Sequence, residues 1–233
     1  MNIVITRPLE DSSPIIKRLI KVGHMVTHLP VIKIKKLKTK KIDLNNYQAL
    51  IFTSSNAIRF MNVEKFDFKV KCFCVGRATE LTAKQAGFIN TYSSEGTVDS
   101  LVELVVRSLD CKSGKLLYLS SEFISKDLDT SLTKSGYEVE RVSNYTSIPV
   151  EKIDSKTLIF LKKNPPEVLF IYSSRSAKSL CNLINKYSLL NVVTHCNLMC
   201  ISEKVLLELK QIKWKKAFIF NPGEEEFLLN KIK

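Results

Sequence analysis

Asn2–Val26, NIVITRPLEDSSPIIKRLIKVGHMV, has a second copy in Lys115–Val139, KLLYLSSEFISKDLDTSLTKSGYEV. Aligned without gaps, Leu19 meets Leu132, Lys21 meets Lys134, Gly23 meets Gly136 and Val26 meets Val139. Each copy reads as a short apolar strand, a polar loop, an amphipathic helix, and a glycine where the helix stops. A repeat of this kind decides how the chain is built before any single element is assigned.

The repetition extends outward. Ala49–Ala57, ALIFTSSNA, is matched by Val168–Ser176, VLFIYSSRS: a fully apolar strand running into two hydroxyl residues and then a helix. A weaker match joins Cys72–Gly87, CFCVGRATELTAKQAG, to Asn197–Ile212, NLMCISEKVLLELKQI. Helical segments beginning near Gly96 and Gly223 form a fourth pair. Strands apolar on both faces, alternating with helices, predict parallel sheets covered on both sides. The fold class is therefore α/β, as two similar lobes. Of the connectors, Val31–Leu37 alternates apolar and basic residues, the period of an exposed strand. Its counterpart near Tyr145–Val150 can pair with it as a two-stranded β-ladder joining lobes that exchange their first unit.

Composition narrows the function classes. The chain has 233 residues with 45% hydrophobic and 25% charged, and only 7 glycines and 7 prolines, which excludes a disordered chain. Its apolar runs, such as Val168–Tyr172, are strand-length and fall far short of the ~20 residues of a membrane span. The first ten residues lack the features of a signal peptide, so the expected location is cytoplasmic. Lysine and arginine total 36 against 23 acidic residues, a net charge of +13. That excess suits a nucleic acid, an anionic membrane surface or a polyanionic small molecule, and a lysine-rich base composition explains it equally well. The run Lys33–Lys41 carries no interleaved aromatics for base stacking and reads as the solvated face of a ladder. The six cysteines form no CxxC pair, and His24 and His28 flank a strand rather than share a helix face. No metal site is expected, and the thiols read as small buried hydrophobes.

In parallel sheets, ligands bind beyond the carboxyl ends of the strands. There the sequence places Thr53, Ser54 and Ser55 after one strand and Ser173, Ser174 and Arg175 after its repeat. The next pair of turns adds Arg77 and Thr79 on one side and Ser202 and Lys204 on the other; Arg7 follows the first strand. A serine at a helix start is first of all a cap. Paired helix starts, one per lobe and facing a shared cleft, also present free N–H groups and positive dipole ends to an anion. The sequence offers no Ser/His/Asp arrangement and no pair of carboxylates at strand ends. Any catalysis rests on positioning and electrostatics. Tyr145, in the crossover ladder, is the one titratable hydroxyl placed to take part, and packing is the simpler use of it.

Taken in order, TRP at Thr6–Pro8, LPVI at Leu29–Ile32, IFTSSNA at Ile51–Ala57 and VGRAT at Val75–Thr79 resemble the uroporphyrinogen-III synthase family. SGYEVERVSNYTS at Ser135–Ser147 and IYSSRSA at Ile171–Ala177 extend the resemblance over most of the chain. It implies one lobe from residues 1–35 and 150–233 and another from residues 36–149. It implies a lyase that cyclises hydroxymethylbilane, a linear polycarboxylate tetrapyrrole, with loss of water and inversion of ring D. It implies Tyr145 as the group assisting the departing hydroxyl, and Ser54, Thr79 and Ser173 as cleft hydroxyls. No cofactor, nucleic acid or membrane partner is implied, and a monomer is expected. The sequence departs from the family at Ser120-Ser121, where Arg-Gly is common, and at Ile201–Lys204, in place of a Gly-x-Thr-Thr turn. The competing reading is a non-catalytic two-lobe protein that binds polyanions.

Overall fold

A computed structural model describes residues 1–65, 67–221 and 223–231, so positions 222, 232 and 233 of the expected first lobe and position 66 of the second lie outside the described residues. The chain opens with β1 (Asn2–Ile5), α1 (Leu9–Lys21), β2 (Met25–His28) and β3 (Ile32–Lys36). Next come β4 (Ile42–Asp43), β5 (Ala49–Phe52), α2 (Ser55–Arg59) and β6 (Val63–Lys65). They are followed by β7 (Lys71–Cys74), α3 (Arg77–Gln85), β8 (Thr91–Ser93) and α4 (Val98–Ser108). The second copy of the opening is β9 (Leu116–Ser121), α5 (Leu128–Lys134) and β10 (Val139–Pro149). After it come α6 (Ser155–Lys163), β11 (Val168–Ile171), α7 (Ser174–Lys186) and α8 (Leu190–Val193). The end of the chain holds β12 (Asn197–Cys200), α9 (Glu203–Leu207), β13 (Lys216–Ile219) and α10 (Glu225–Lys231).

The chain divides into two compact units. Unit 1 is Met1–Lys33 with Ile148–Lys233, and unit 2 is Ile34–Ser147. The sheet of unit 1 runs β13-β12-β11-β1-β2, with its strands parallel. The sheet of unit 2 runs β8-β7-β5-β9-β10, also parallel, with β3 added beyond β10. The two orders correspond strand for strand. β1 and β2 hold the places of β9 and β10, and β11, β12 and β13 hold those of β5, β7 and β8. Each sheet thus takes two strands from one copy of the repeat and three from the other.

Both faces of each sheet are buried. In unit 2, Leu50, Phe52, Leu117 and Leu119 pack on one side, and Ala49, Ile51, Leu116 and Tyr118 on the other. In unit 1, Val4, Leu169 and Ile171 face one core, and Ile3, Ile5, Val168 and Phe170 the other. Alternate side chains point to opposite faces, so a run apolar at every position fills two cores at once. Gly23 and Gly136 follow α1 and α5 with φ of +85° and +90°. That left-handed turn suits glycine and starts β2 and β10 in equivalent ways.

β3 neighbours β10 in the sheet, and two backbone bonds flank their pairing. Within unit 2 the Leu37 N–H donates to the Asn144 carbonyl at 2.9 Å, and within unit 1 the Val150 N–H donates to the Val31 carbonyl at 2.9 Å. Residue numbers rise along one strand as they fall along the other, so this ladder is antiparallel. Against β9, the register of β10 shifts between Ser143, opposite Ser120, and Tyr145, opposite Ser121. Asn144 is the extra residue of this bulge. Its buried side-chain amide donates to the Ala57 carbonyl of α2 at 2.7 Å, and the bulge turns Tyr145 inward beside Val142.

Leu50 lies on β5, flanked by β7 and β9, and is fully buried. Leu50→Ala is expected to destabilise the protein by about 2–5 kcal/mol, as a cavity there cannot collapse freely. A urea midpoint that drops with an unchanged denaturant slope is the expected result. An unchanged midpoint contradicts the two-sided core.

Candidate functional site

Parallel strands end together, so the loops after β5, β7 and β9 share one edge of unit 2. Ser54 caps α2, its hydroxyl accepting from the Asn56 N–H at 3.2 Å. Thr53 pairs with the Tyr118 hydroxyl at 3.1 Å. Ser55 accepts from Thr82 at 2.9 Å and donates to the Ala78 carbonyl at 3.4 Å, tying the start of α2 to α3. α3 begins at Gly76 with no side-chain cap, followed by exposed Arg77 and buried Thr79. Gly76 lies against Gly96: a Cβ there would stand 3.6 Å from the Gly96 Cα. Tyr145 is 7% exposed, in the core with Phe52, Leu117 and Leu119, its ring 6.5 Å from that of Phe60.

Unit 1 has the corresponding edge. Ser173 caps α7, accepting from the Ser176 N–H at 3.1 Å, and Ser202 caps α9 through the Val205 N–H at 3.4 Å. Ser174 and Arg175 open α7, half-buried, and Lys204 is exposed on α9. Arg7 stands over the Tyr172 ring, 4.7 Å from its centre, a cation–π contact the sequence did not signal. The Tyr172 hydroxyl donates to Glu225 Oε1 at 3.3 Å, and the Gly223 N–H donates to Glu225 Oε2 at 2.8 Å. Burial, then the Glu225 carboxylate, pushes the Tyr172 phenol well up, against the opposing charge of Arg7.

The expected site residues therefore fall into two sets. Thr53, Ser54, Ser55, Arg77, Thr79 and Tyr145 belong to unit 2; Arg7, Ser173, Ser174, Arg175, Ser202 and Lys204 belong to unit 1. Apart from Tyr145, which stands on β10 opposite the end of β9, each set gathers at the carboxyl ends of adjacent parallel strands. The sequence reading passed over Arg141 on β10. Its guanidinium donates to Ser120 Oγ at 2.9 Å and to the Ser121 and Glu122 carbonyls at 3.1 and 3.4 Å. It also draws the neighbouring Tyr118 phenol down, although burial raises that group on balance. The signal available in the sequence was the unmatched Arg7, which aligns with Ser120.

Five of the six thiols are buried, and Cys111 is half-exposed. Burial pushes Cys74 and Cys200 up to about 12 and Cys72 and Cys196 higher still, so they remain protonated hydrophobes. Among the described residues no three His, Cys, Asp or Glu side chains gather as metal ligands, and no helix is long and apolar enough to cross a membrane. A recess of about 420 Å³ in unit 2 is lined by Lys36, Leu37, Lys38, Thr39 and Asn62 and contains none of the expected site residues.

The chain is thus a duplicated α/β protein whose two sheets each carry hydroxyls, helix starts and cations at one edge, an arrangement of the kind that suits anions. The model of the family described as Uroporphyrinogen-III synthase HemD matches residues 13–221. The uroporphyrinogen-III synthase of Escherichia coli (strain K12) is 20% identical over 242 aligned positions, covering 98% of each chain. Among solved structures, the uroporphyrinogen-III synthetase of Helicobacter pylori 26695 is similar with a TM-score of 0.64 at 17% identity. That likeness covers 100% of this chain and 99% of the other. A mutant uroporphyrinogen III synthase from the extremely thermophilic bacterium Thermus thermophilus gives 0.54 at 15% identity, covering 100% and 97%. This chain belongs to the uroporphyrinogen-III synthase family.

If Ser173 is a cap, Ser173→Ala should cost about 1 kcal/mol, whereas Ser173→Asp, which still accepts the helix N–H, should cost little. Equal losses from the two variants in urea unfolding would remove the capping role.

Proposed function

We propose that this chain cyclises hydroxymethylbilane to uroporphyrinogen III, and that the two strand-end sets are its substrate-binding residues. The reaction is redox-neutral and releases only water, so its chemistry asks for no electron carrier and no group carrier. The hydroxyl leaves carbon with the help of the electron-rich pyrrole, giving an azafulvene. The substituted carbon of ring D attacks its methylene carbon, and the resulting spiro intermediate fragments and recloses with ring D inverted, a proton leaving as the last pyrrole regains aromaticity. The protein's part is to speed water loss and hold the chain in the conformation that favours attack by the substituted carbon.

What carries this reading is the repetition of one arrangement in both units of a chain from this family. Ser54 and Ser173, at equivalent places, follow equivalent apolar strands. The starts of α3 and α7 and the guanidinium of Arg7 add donors suited to acetate and propionate groups. Thr53, Ser55, Arg77 and Thr79 complete the set in unit 2, and Ser174, Arg175, Ser202 and Lys204 that in unit 1. Tyr145 supplies a proton donor to the departing hydroxyl. Its place on a bulged strand supports this, since bulges re-aim side chains next to functional sites. The reading takes the lobes as residues 1–35 with 150–233 and residues 36–149, working as a monomer in the cytoplasm without nucleic acid or membrane.

The decisive experiment incubates the protein with hydroxymethylbilane generated in place, oxidises the product and separates type I from type III uroporphyrin. Type III, formed faster than spontaneous closure, is expected. Type I alone, at the uncatalysed rate and from folded protein, favours the polyanion-binding protein instead. Tyr145→Phe should lower kcat about 100-fold with KM little changed, the range of one general acid. An unchanged kcat removes Tyr145 from the mechanism and leaves the activity standing. Ser173→Asp, stable as a cap, should raise KM because it sets a carboxylate against the carboxylates of the substrate.

A further inference from the structure

The aligned repeats set Arg7 against Ser120 and His28 against Arg141. The sheets keep that correspondence, because His28 stands beside Ile5 in the β1–β2 pairing and Arg141 beside Tyr118 in the β9–β10 pairing. In unit 1 the cation stands at the end of the first strand, and the His28 ring reaches across to the Arg7 carbonyl, Nε2 to O, at 2.8 Å. In unit 2 the end of the first strand holds a serine, and the neighbouring strand supplies the guanidinium, which reaches across to the same strand end. The cation has changed places within an equivalent pair of positions. We propose that Arg141 binds a substrate carboxylate at the carboxyl edge of unit 2, the counterpart there of Arg7.

Further observations support this assignment beyond the alignment. The guanidinium is half-buried, and among the described residues no carboxylate lies within ion-pair distance of it. Its protein partners are one hydroxyl and two carbonyls, all neutral, and they engage only Nε and Nη2. Glu122, whose carbonyl Arg141 meets, has its carboxylate accepting from the Thr146 hydroxyl at 2.7 Å instead. A partly desolvated cation held by neutral oxygens, with Nη1 uncommitted, is arranged to accept an anion from outside the chain. Its neighbours also fit such a place, since the Tyr118 hydroxyl beside it meets Thr53 of the strand-end set.

The proposal rests on the synthase reading, and wild-type formation of type III product tests that reading separately. Arg141→Gln removes the charge and Arg141→Lys keeps it, while both lose the guanidinium fork that holds Ser120 and Ser121. Arg141→Gln should raise KM for hydroxymethylbilane about 10- to 100-fold, the effect of losing one charge-assisted hydrogen bond, with kcat far less changed. Arg141→Lys should stay within a few-fold of wild type, and its KM should keep the wild-type dependence on ionic strength. Equal impairment in the two variants assigns the fork to loop structure alone, and an unchanged KM in Arg141→Gln leaves Arg141 no contact with substrate. Either result overturns the proposal. Should Arg141→Gln fail to fold, Arg141→His takes its place. Its KM relative to wild type should be lower at pH 6 than at pH 8, because the imidazolium carries the charge only at the lower pH. A flat ratio across that range likewise overturns it.

Discussion

A parallel sheet buried on both faces makes a polar side chain without a partner costly at its interior positions. β5, β11 and β12 are buried at every residue, and so is all of β9 except its last position, Ser121. Polar chemistry is thereby displaced beyond the ends of the strands, where the chain turns into a helix and backbone N–H groups lack partners. Because all the strands of such a sheet except an added edge strand point the same way, these turns collect along one border. Hydroxyls at Thr53 and Ser54 in unit 2 and at Ser173 and Ser202 in unit 1, with the guanidinium of Arg7, stand in such turns for that reason, and Arg141 reaches the end of β9 from β10.

The same constraint explains why exchange of the first strand pair leaves each sheet complete. β1 can lie beside β11 as readily as beside β5 only if all of them offer apolar side chains to both cores, and they do. The register Ile3 to Val168, Val4 to Leu169 and Ile5 to Phe170 in unit 1 has its equivalent in Leu116 to Ala49, Leu117 to Leu50 and Tyr118 to Ile51 in unit 2. Each sheet is thus a hybrid of two copies, and the strands β3 and β10 that carry the chain from one unit to the other follow from that.

Much of this was legible in the sequence, since burial on two faces leaves a mark that survives in single residues. Val168–Ile171 can be only a two-sided strand or a short buried helical piece, and the serines and helix that follow select the strand. Glycine at 23 and 136 fixed the helix ends, because few other residues accept a φ near +90°. Hydroxyls at helix starts were legible for the same local reason. Side-chain contacts across strands were not. Nothing in the residues around Tyr172 announces that Arg7 lies over its ring, because the two are brought together by the β1–β11 pairing. The bulge at Asn144 was equally silent: one residue added to a strand changes which face Tyr145 joins without changing the composition of the segment.

Arg141 shows where a residue-by-residue reading of a repeat stops. Aligned positions report which side chain each strand carries, but a long side chain acts a strand away from its own backbone. A guanidinium on β10 and one just after β1 can serve the same kind of place, since adjacent parallel strands lie about 4.8 Å apart and an arginine side chain spans more than that. Loss of a cation at Ser120 and gain of one at Arg141 therefore cancel at the strand end, while each alone reads as a departure. The same reasoning bears on the net charge of +13. Most of those lysines are exposed and screened by salt within about 10 Å, whereas Arg7 and Arg141 are half-buried and lack carboxylate partners among the described residues. A cation that keeps its charge in such a place interacts more strongly with an incoming carboxylate than a surface lysine does. On the proposed function, the electrostatics of recognition reside in a few guanidiniums at the strand ends rather than in the overall excess.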